Sequence, residues 1–233
     1  NAYKSIDNTY MEGEWWLIKK AQENGRLYEG EMAMSWCAHC STALAKHELE
    51  YQDITDDSIY LKFKIKNTEN EYLLIWTTTP WTIPLNLSVV VHPDFDYVKC
   101  KVGDEYWIVA KELADKVIKE KIVSDYKIVE EFKGHQLEGV EYVPPFADQF
   151  PQIKEAKEKQ PLIFTILLSK EYVHLDDGTG LVHFAPGCGE SDYDLCAKKG
   201  IKPFNVIDDR GVFPRDHQLF GGLVAKKDDG DFI

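Results

Sequence analysis

One short stretch restricts the fold of this chain more than any other. The apolar run Tyr72-Leu73-Leu74-Ile75-Trp76 has strand composition, and it passes directly into Thr77-Thr78-Thr79-Pro80-Trp81-Thr82-Ile83-Pro84-Leu85-Asn86. Proline lacks an amide hydrogen and has a fixed φ, so two prolines four residues apart neither continue a ladder nor sit in a helix interior. The strand must therefore end in an irregular loop of stiff backbone that carries four hydroxyls and one amide beside two tryptophans. Hydroxyls in most loops serve turns. Walled by Trp76 and Trp81, these also suit a site that binds ribose hydroxyls or an ester carbonyl.

The surrounding sequence predicts more strands than helices. Ile59, Leu61, Phe63 and Ile65 alternate with Tyr60, Lys62, Lys64 and Lys66, the period of a half-buried strand. A turn over Asn67 to Asn70 pairs that strand with Tyr72–Trp76. Tyr97–Val102 and Glu105–Ala110 form a second hairpin about Gly103-Asp104. Ile163–Leu168 and Leu181–Phe184 are apolar enough for buried strands. Helices are predicted over Tyr10–Asn24 (capped by Asp7, ended by Asn24-Gly25), over Lys111–Lys121 on Leu113, Val117 and Ile118, and over Ser191–Lys199. The last has a Ser191-x-x-Asp194 capping pattern and Gly200 beyond its end. Trp15-Trp16 is too wide for one helix face, so the first helix should meet more than one surface. Strands and helices do not alternate regularly, which predicts an α+β fold with a mostly antiparallel or barrel-like sheet and peripheral helices.

With 233 residues, 44% hydrophobic and 29% charged, the chain is of ordinary globular composition. No apolar run reaches the roughly 18 residues of a membrane span, so no membrane is expected as a partner. The chain starts at Asn1 with no leader, and so reads as a segment of something longer. Five cysteines, an odd number at scattered positions, fit a reducing, cytoplasmic setting. The net charge of −13 argues against a module that grips nucleic acid alone, since phosphates need clustered Lys and Arg.

A second stretch carries chemistry: Gly178-Thr179-Gly180-Leu181-Val182-His183-Phe184-Ala185-Pro186-Gly187-Cys188-Gly189-Glu190-Ser191-Asp192-Tyr193. It reads as a strand, a glycine- and proline-broken loop, and a helix start. Asp192 falls in the first helical turn, where the dipole is expected to keep a carboxylate ionised. Alone, Asp192 would be a helix-terminus residue and His183 a satisfied, half-buried histidine.

Trp-Thr-Thr-Thr-Pro-Trp-Thr-x-Pro-x-Asn resembles the threonine-rich editing motif of isoleucyl-tRNA synthetases. The related valyl and leucyl enzymes are similar but place Arg where this chain has Thr79. Gly-Thr-Gly-x-Val-His-x-Ala-Pro-Gly-x-Gly-x-x-Asp-Tyr resembles the second editing motif of the same family, and Tyr10-Met11-Glu12-x-x-Trp15-Trp16 its lead-in helix. The resemblance covers essentially the whole chain and implies an editing (connective polypeptide 1) domain over residues 51–233, including a return segment. Residues 1–50 would be a lead-in helix and stalk from the synthetase body.

The implied activity is deacylation of tRNA(Ile) mischarged with valine. A pocket rejects a substrate one methylene shorter by only about 1–3 kcal/mol, and valine against isoleucine is the standard illustration. Thr77, Thr78 and Thr79, with loop N–H groups, would orient the terminal adenosine and the carbonyl for attack by water. His183 would line the amino-acid pocket, Asp192 would bind the α-ammonium, and Trp76, Thr82 and Asn86 would complete the substrate contacts. The partners implied are the 3′ end of the charged tRNA and the rest of the synthetase chain. Neither His-Ile-Gly-His nor Lys-Met-Ser-Lys-Ser occurs, so ATP and magnesium would serve only the synthetic domain, and no cofactor is expected in this segment. The competing readings are a non-hydrolytic insert that positions the tRNA end, and the editing domain of a valyl or leucyl enzyme.

Cys37-Ala38-His39-Cys40 has zinc spacing but supplies half a site. Some members of the family complete it with a second pair after the editing domain, so a full zinc site would need the full-length enzyme; His47 is a candidate third ligand here, and two free thiols in a stalk are the competing reading. Asp176-Asp177 and Asp208-Asp209 adjoin glycine turns and read as solvated turn carboxylates.

Overall fold

The computed structural model describes residues 4–122 and 125–232, and the chain divides into two units, Asn1–Met32 and Ala33–Ile233. The first carries helix α1 (Asn8–Glu23), which starts two residues before the expected Tyr10. Asp7 holds the N-cap position, but contrary to expectation its carboxylate makes no capping hydrogen bond. The other end closes as predicted: Asn24 Nδ2 donates to Lys20 O at 2.7 Å and Gly25 adopts φ +64°. No residue of α1 is buried, and Trp15 and Trp16 are 70% and 58% exposed. Neighbours on a helix lie about 100° apart, so one flat surface cannot cover both rings.

The second unit opens with a small hairpin, β1 (Trp36–Cys37) and β2 (Thr42–Ala43), anchored where Trp36 Nε1 donates to Asp209 O at 2.8 Å. Strands β3 (Ile59–Ile65) and β4 (Glu71–Thr77) form the expected hairpin, pairing Phe63 with Leu73 and Ile59 with Thr77. Next come β5 (Ser88–Val91), then β6 (Asp96–Val102) and β7 (Glu105–Ala110), which turn at Gly103 with φ +60°. The remaining strands are β8 (Lys127–Lys133), β9 (Tyr142–Val143), β10 (Ile166–Leu168) and β11 (Leu181–Phe184). Helix α2 (Pro151–Lys159) precedes β10, and α3 (Glu190–Lys198) follows β11.

Six strands make one sheet in the order β8-β6-β7-β4-β3-β9, and three make another in the order β10-β5-β11. All pairings are antiparallel except β4 with β7 and β5 with β10. The α+β, mostly antiparallel expectation stands. An isolated bridge joins Glu141 to Thr165, but among the described residues the two sheets remain separate and do not close into a barrel. β5, buried along its whole length, is the centre of its own three-stranded sheet.

The helix expected over Lys111–Lys121 forms as a 3₁₀ turn (Lys111–Leu113) followed by a π-type helix (Asp115–Ile122). Leu113, Val117 and Ile118 are its buried residues, as predicted. Buried positions recurring every four to five residues stay on one face better with i→i+5 winding than with 3.6 residues per turn.

The core draws on both sheets, and their central strands are buried on both faces. Leu73, Leu74 and Ile75 of β4 are all buried, as are Val89, Val90 and Val91 of β5. This packing fixes the ends of β4 and β11 together. At the entry to β11, Gly180 has φ +76°, and a Cβ there would fall 2.3 Å from that of Ala110. Ala110 N donates to the preceding Thr179 O at 2.9 Å, and Tyr97 Oη donates to Gly180 O at 2.7 Å.

Candidate active site

The threonine-rich segment begins as the last residue of β4 and continues as a 3₁₀ helix, Pro80–Leu85, where an irregular loop was expected. Its hydrogen bonds run from Thr82 N to Thr79 O (3.0 Å) and from Asn86 N to Ile83 O (3.1 Å). Pro80 sits in the first turn, where its missing N–H costs nothing, and Pro84 falls between the two bonds. A short 3₁₀ segment therefore tolerates a proline spacing that excludes an α-helix.

This winding gathers the hydroxyls into a row. Thr79 N donates to Thr77 Oγ1 (3.0 Å), Thr77 Oγ1 lies 3.1 Å from Thr79 Oγ1, and Thr79 Oγ1 lies 3.3 Å from Thr82 Oγ1. Thr82 Oγ1 donates to Thr79 O and meets His183 Nε2, both at 2.8 Å. Thr77, Thr82, Asn86 and His183 are buried, while Thr78 and Thr79 are half-buried. The Thr78 hydroxyl makes no hydrogen bond among the described residues, so it alone of the four is unclaimed by the protein. The segment thus separates the hydroxyls expected to act together: Thr77, Thr79 and Thr82 brace the backbone, and Thr78 is left over.

His183 lies beneath this row on β11, opposite Val89 of β5. Only 8% exposed, it has its other ring nitrogen, Nδ1, 3.3 Å from Asn86 Nδ2. Burial pushes its imidazole down to about 4. Since the folded value lies below the unfolded one, His183 favours folding fully above about pH 6.5, and that contribution is lost as pH falls toward 4. A depression of this size corresponds to about 3 kcal/mol. Urea unfolding at pH 7 and at pH 4 should show a loss near this size, and His183→Gln should remove the part of the slope between those pH values.

Asp192 stands in the first turn of α3, as predicted, but the helix is capped at Gly189 and the expected Ser191-x-x-Asp194 cap does not form. Asp192 Oδ2 accepts from Ala185 N at 2.7 Å, closing the loop between β11 and α3. A Cβ on Gly189 would lie 2.9 Å from the Asp192 carboxyl carbon, so glycine is what lets the carboxylate fold back over the loop. The dipole was expected to keep this carboxyl ionised. Burial pushes it above its ordinary value, and the N–H groups of Ala185 and of Asp192 itself partly oppose that.

The tryptophans flank the row as expected, and both are half-buried. The ring of Trp76 lies against Gly178, where a Cβ would come within 3.1 Å of it. The Trp81 indole nitrogen is buried without a hydrogen-bond partner among the described residues. Sequence reasoning missed Tyr142, whose hydroxyl donates to Asn86 Oδ1 from the edge strand β9, and the Ala185 N–H that holds Asp192. A lone tyrosine and a backbone amide carry no motif.

The acidic pairs are turn residues, as read. Asp208 Oδ1 accepts from Arg210 N (2.9 Å) and Val212 N (3.0 Å), which hold its carboxyl below the usual range, and exposed Asp177 meets Lys116 at 3.3 Å. In the β1–β2 hairpin, Cys40 N donates to Cys37 Sγ at 3.3 Å, and Cys40 holds the Cys37 thiol below its ordinary value. Among the described residues no third Cys, His, Asp or Glu joins them; His47 lies on the separate 3₁₀ turn Lys46–Glu48. Two thiols do not fit the four-ligand set of a structural zinc. Elemental analysis of chelator-free protein should find well under one zinc per chain, and a tight stoichiometric zinc would overturn the half-site reading.

Among the described residues, no helix is long and apolar enough to cross a membrane. The chain spans about a fifth of the length of the curated relatives it matches. The isoleucine–tRNA ligase of Pyrococcus abyssi is 46% identical over 239 residues, covering 100% of this chain and 22% of that protein. Among solved structures, the crystal structure of GlLeuRS-CP1 aligns with a TM-score of 0.50 at 19% identity, over 64% of this chain and 69% of that one. The P. knowlesi cytosolic leucyl-tRNA synthetase editing domain aligns at 0.47 and 13%, over 65% and 67%. The first of these likenesses bears on the fold. The family model of the class I tRNA synthetases matches residues 1–139, from α1 through the threonine row and β8. With more than half its length matched, the chain belongs to the class I tRNA synthetases (I, L, M and V).

Proposed function

We propose that this chain is the hydrolytic editing domain of an isoleucine–tRNA ligase and that it deacylates tRNA(Ile) carrying valine. The observation that carries the reading is the attachment of two chemically different groups to one strand end. His183 holds the threonine row, and two residues on, Ala185 N–H holds the Asp192 carboxylate. Strand residues two apart lie roughly 7 Å from each other, so the attachment points of the threonine row and of the carboxylate are separated by about the length of an aminoacyl ester, which supports the reading. The carboxylate suits the α-ammonium, and the unclaimed Thr78 hydroxyl suits the ester carbonyl.

In this reading water attacks the carbonyl carbon and the bond to the ribose oxygen breaks. The proton released by the attacking water passes, by way of the neighbouring ribose hydroxyl, to the departing ribose oxygen, leaving free valine and uncharged tRNA. An ester is labile enough that positioning supplies most of the rate. The charge of −13 fits a domain to which the rest of the synthetase, in the cytoplasm, delivers the tRNA 3′ end.

The test is release of labelled valine from valyl-tRNA(Ile), with isoleucyl-tRNA(Ile) as control, using the chain alone and within the full ligase. Faster loss of valine than of isoleucine supports the reading. Binding of the tRNA end with no hydrolysis in either setting would make the domain a positioning insert.

A further inference from the structure

Asn86 was expected among the substrate contacts, but it is 1% exposed and every polar atom of its amide is engaged. Its Nδ2 lies 2.9 Å from Ser88 O and 3.4 Å from Phe184 O, and its Oδ1 accepts from the Tyr142 hydroxyl. Two carbonyls on one side and a hydroxyl on the other admit one orientation of the amide, because the flipped form would set oxygen against oxygen. Tyr142 is buried, and burial pushes its phenol well above its ordinary value, so it remains a donor.

The amide faces His183 with the same NH₂, at 3.3 Å from Nδ1. The NH₂ has two hydrogens: one goes to Ser88 O, the nearest neighbour, and the other lies between Phe184 O and Nδ1, so Nδ1 meets a donor with its lone pair and the neutral ring carries its proton on Nε2. That N–H is then the donor to Thr82 Oγ1 at 2.8 Å, which leaves the Thr82 proton free to bond Thr79 O, also at 2.8 Å. In the opposite tautomer Nε2 would compete for the Thr82 proton, and Thr79 O would lose its side-chain donor.

We infer that Asn86, held by Ser88 O, Phe184 O and Tyr142, is a positioning residue that fixes His183 as the Nε2–H tautomer and thereby sets the hydroxyl directions of the threonine row. The tautomer follows from this chain's own contacts. Its effect on hydrolysis rests on the proposed function. The two can fail separately.

The experiment is a long-range ¹H–¹⁵N correlation spectrum of the histidine-labelled chain at pH 7. The wild type should show His183 protonated at Nε2 and bare at Nδ1. Asn86→Asp, which sets an acceptor against Nδ1, should move the proton there. In the full ligase the same variant should lower kcat for valyl-tRNA(Ile) deacylation roughly 10-fold to 100-fold with KM little changed, the signature of misplacement without lost binding. A wild-type spectrum with the proton on Nδ1 overturns the inference whatever the variant does, as does an Asn86→Asp spectrum identical to the wild type. A wild type with the expected tautomer and no hydrolysis would leave the tautomer assignment standing and remove the proposed function.

Discussion

Asp192→Asn should slow deacylation of valyl-tRNA(Ile) by roughly 30-fold to several thousand-fold, because removing one partner of a desolvated charge pair costs about 2–5 kcal/mol. The substitution isolates the charge. An asparagine carbonyl still accepts from Ala185 N–H, so the loop between β11 and α3 should keep its closure and the thermal transition should move little. The carboxyl's upward shift adds a second signature. The wild-type rate should fall on acidification at a pH above the ordinary aspartate value, and the variant should lose that limb. A tRNA esterified with the 2-hydroxy analogue of valine separates binding of the ammonium from support of the loop. The wild type should process it slowly, and Asp192→Asn should make little further difference. Equal mutational losses on both esters would assign Asp192 to the loop.

Thr78→Ala should cost about 10²–10³ in kcat, the usual effect of removing one donor to a developing oxyanion, without changing stability. The contrast with its neighbours is the informative part. Thr77 Oγ1 accepts from Thr79 N, and Thr82 Oγ1 links Thr79 O to His183. Thr77→Ala and Thr82→Ala therefore leave half-buried or buried partners unsatisfied and should lower stability by about 1–3 kcal/mol. Paired unfolding curves and single-turnover rates for the three variants check this. Equal losses of stability in all three would show that Thr78 also braces the backbone.

Much of this architecture was legible because it rests on local rules. The β3–β4 hairpin followed from strict alternation, β11 from its apolar run, and the end of α1 from Asn24-Gly25. β5 escaped because Ser88-Val89-Val90-Val91 is buried on both faces and shows no alternation. β8 escaped for the opposite reason: it is an exposed edge whose charged residues read as surface. The residue types of the candidate site were visible in the two motifs, but their division of labour was not. Which hydroxyl stays free depends on the 3₁₀ winding, and the state of Asp192 depends on burial that no local pattern encodes. Tyr142 and Ala185 join through contacts 56 and 7 positions away in the chain.

The distance between Thr82 and His183, 101 positions, also bears on how the protein comes to be assembled. The β3–β4 and β6–β7 hairpins need only their neighbours and can form early. β5 has nothing to pair with until β10 and β11 arrive, so the threonine row stays unbraced until the last third of the chain docks. Loop-closure entropy makes such long-range pairing slow. Refolding should show an early phase that builds the six-stranded sheet and a later one, reported by Trp76 and Trp81 fluorescence, in which the site matures. On the ribosome the order is stricter, because the threonines emerge long before the histidine that organises them.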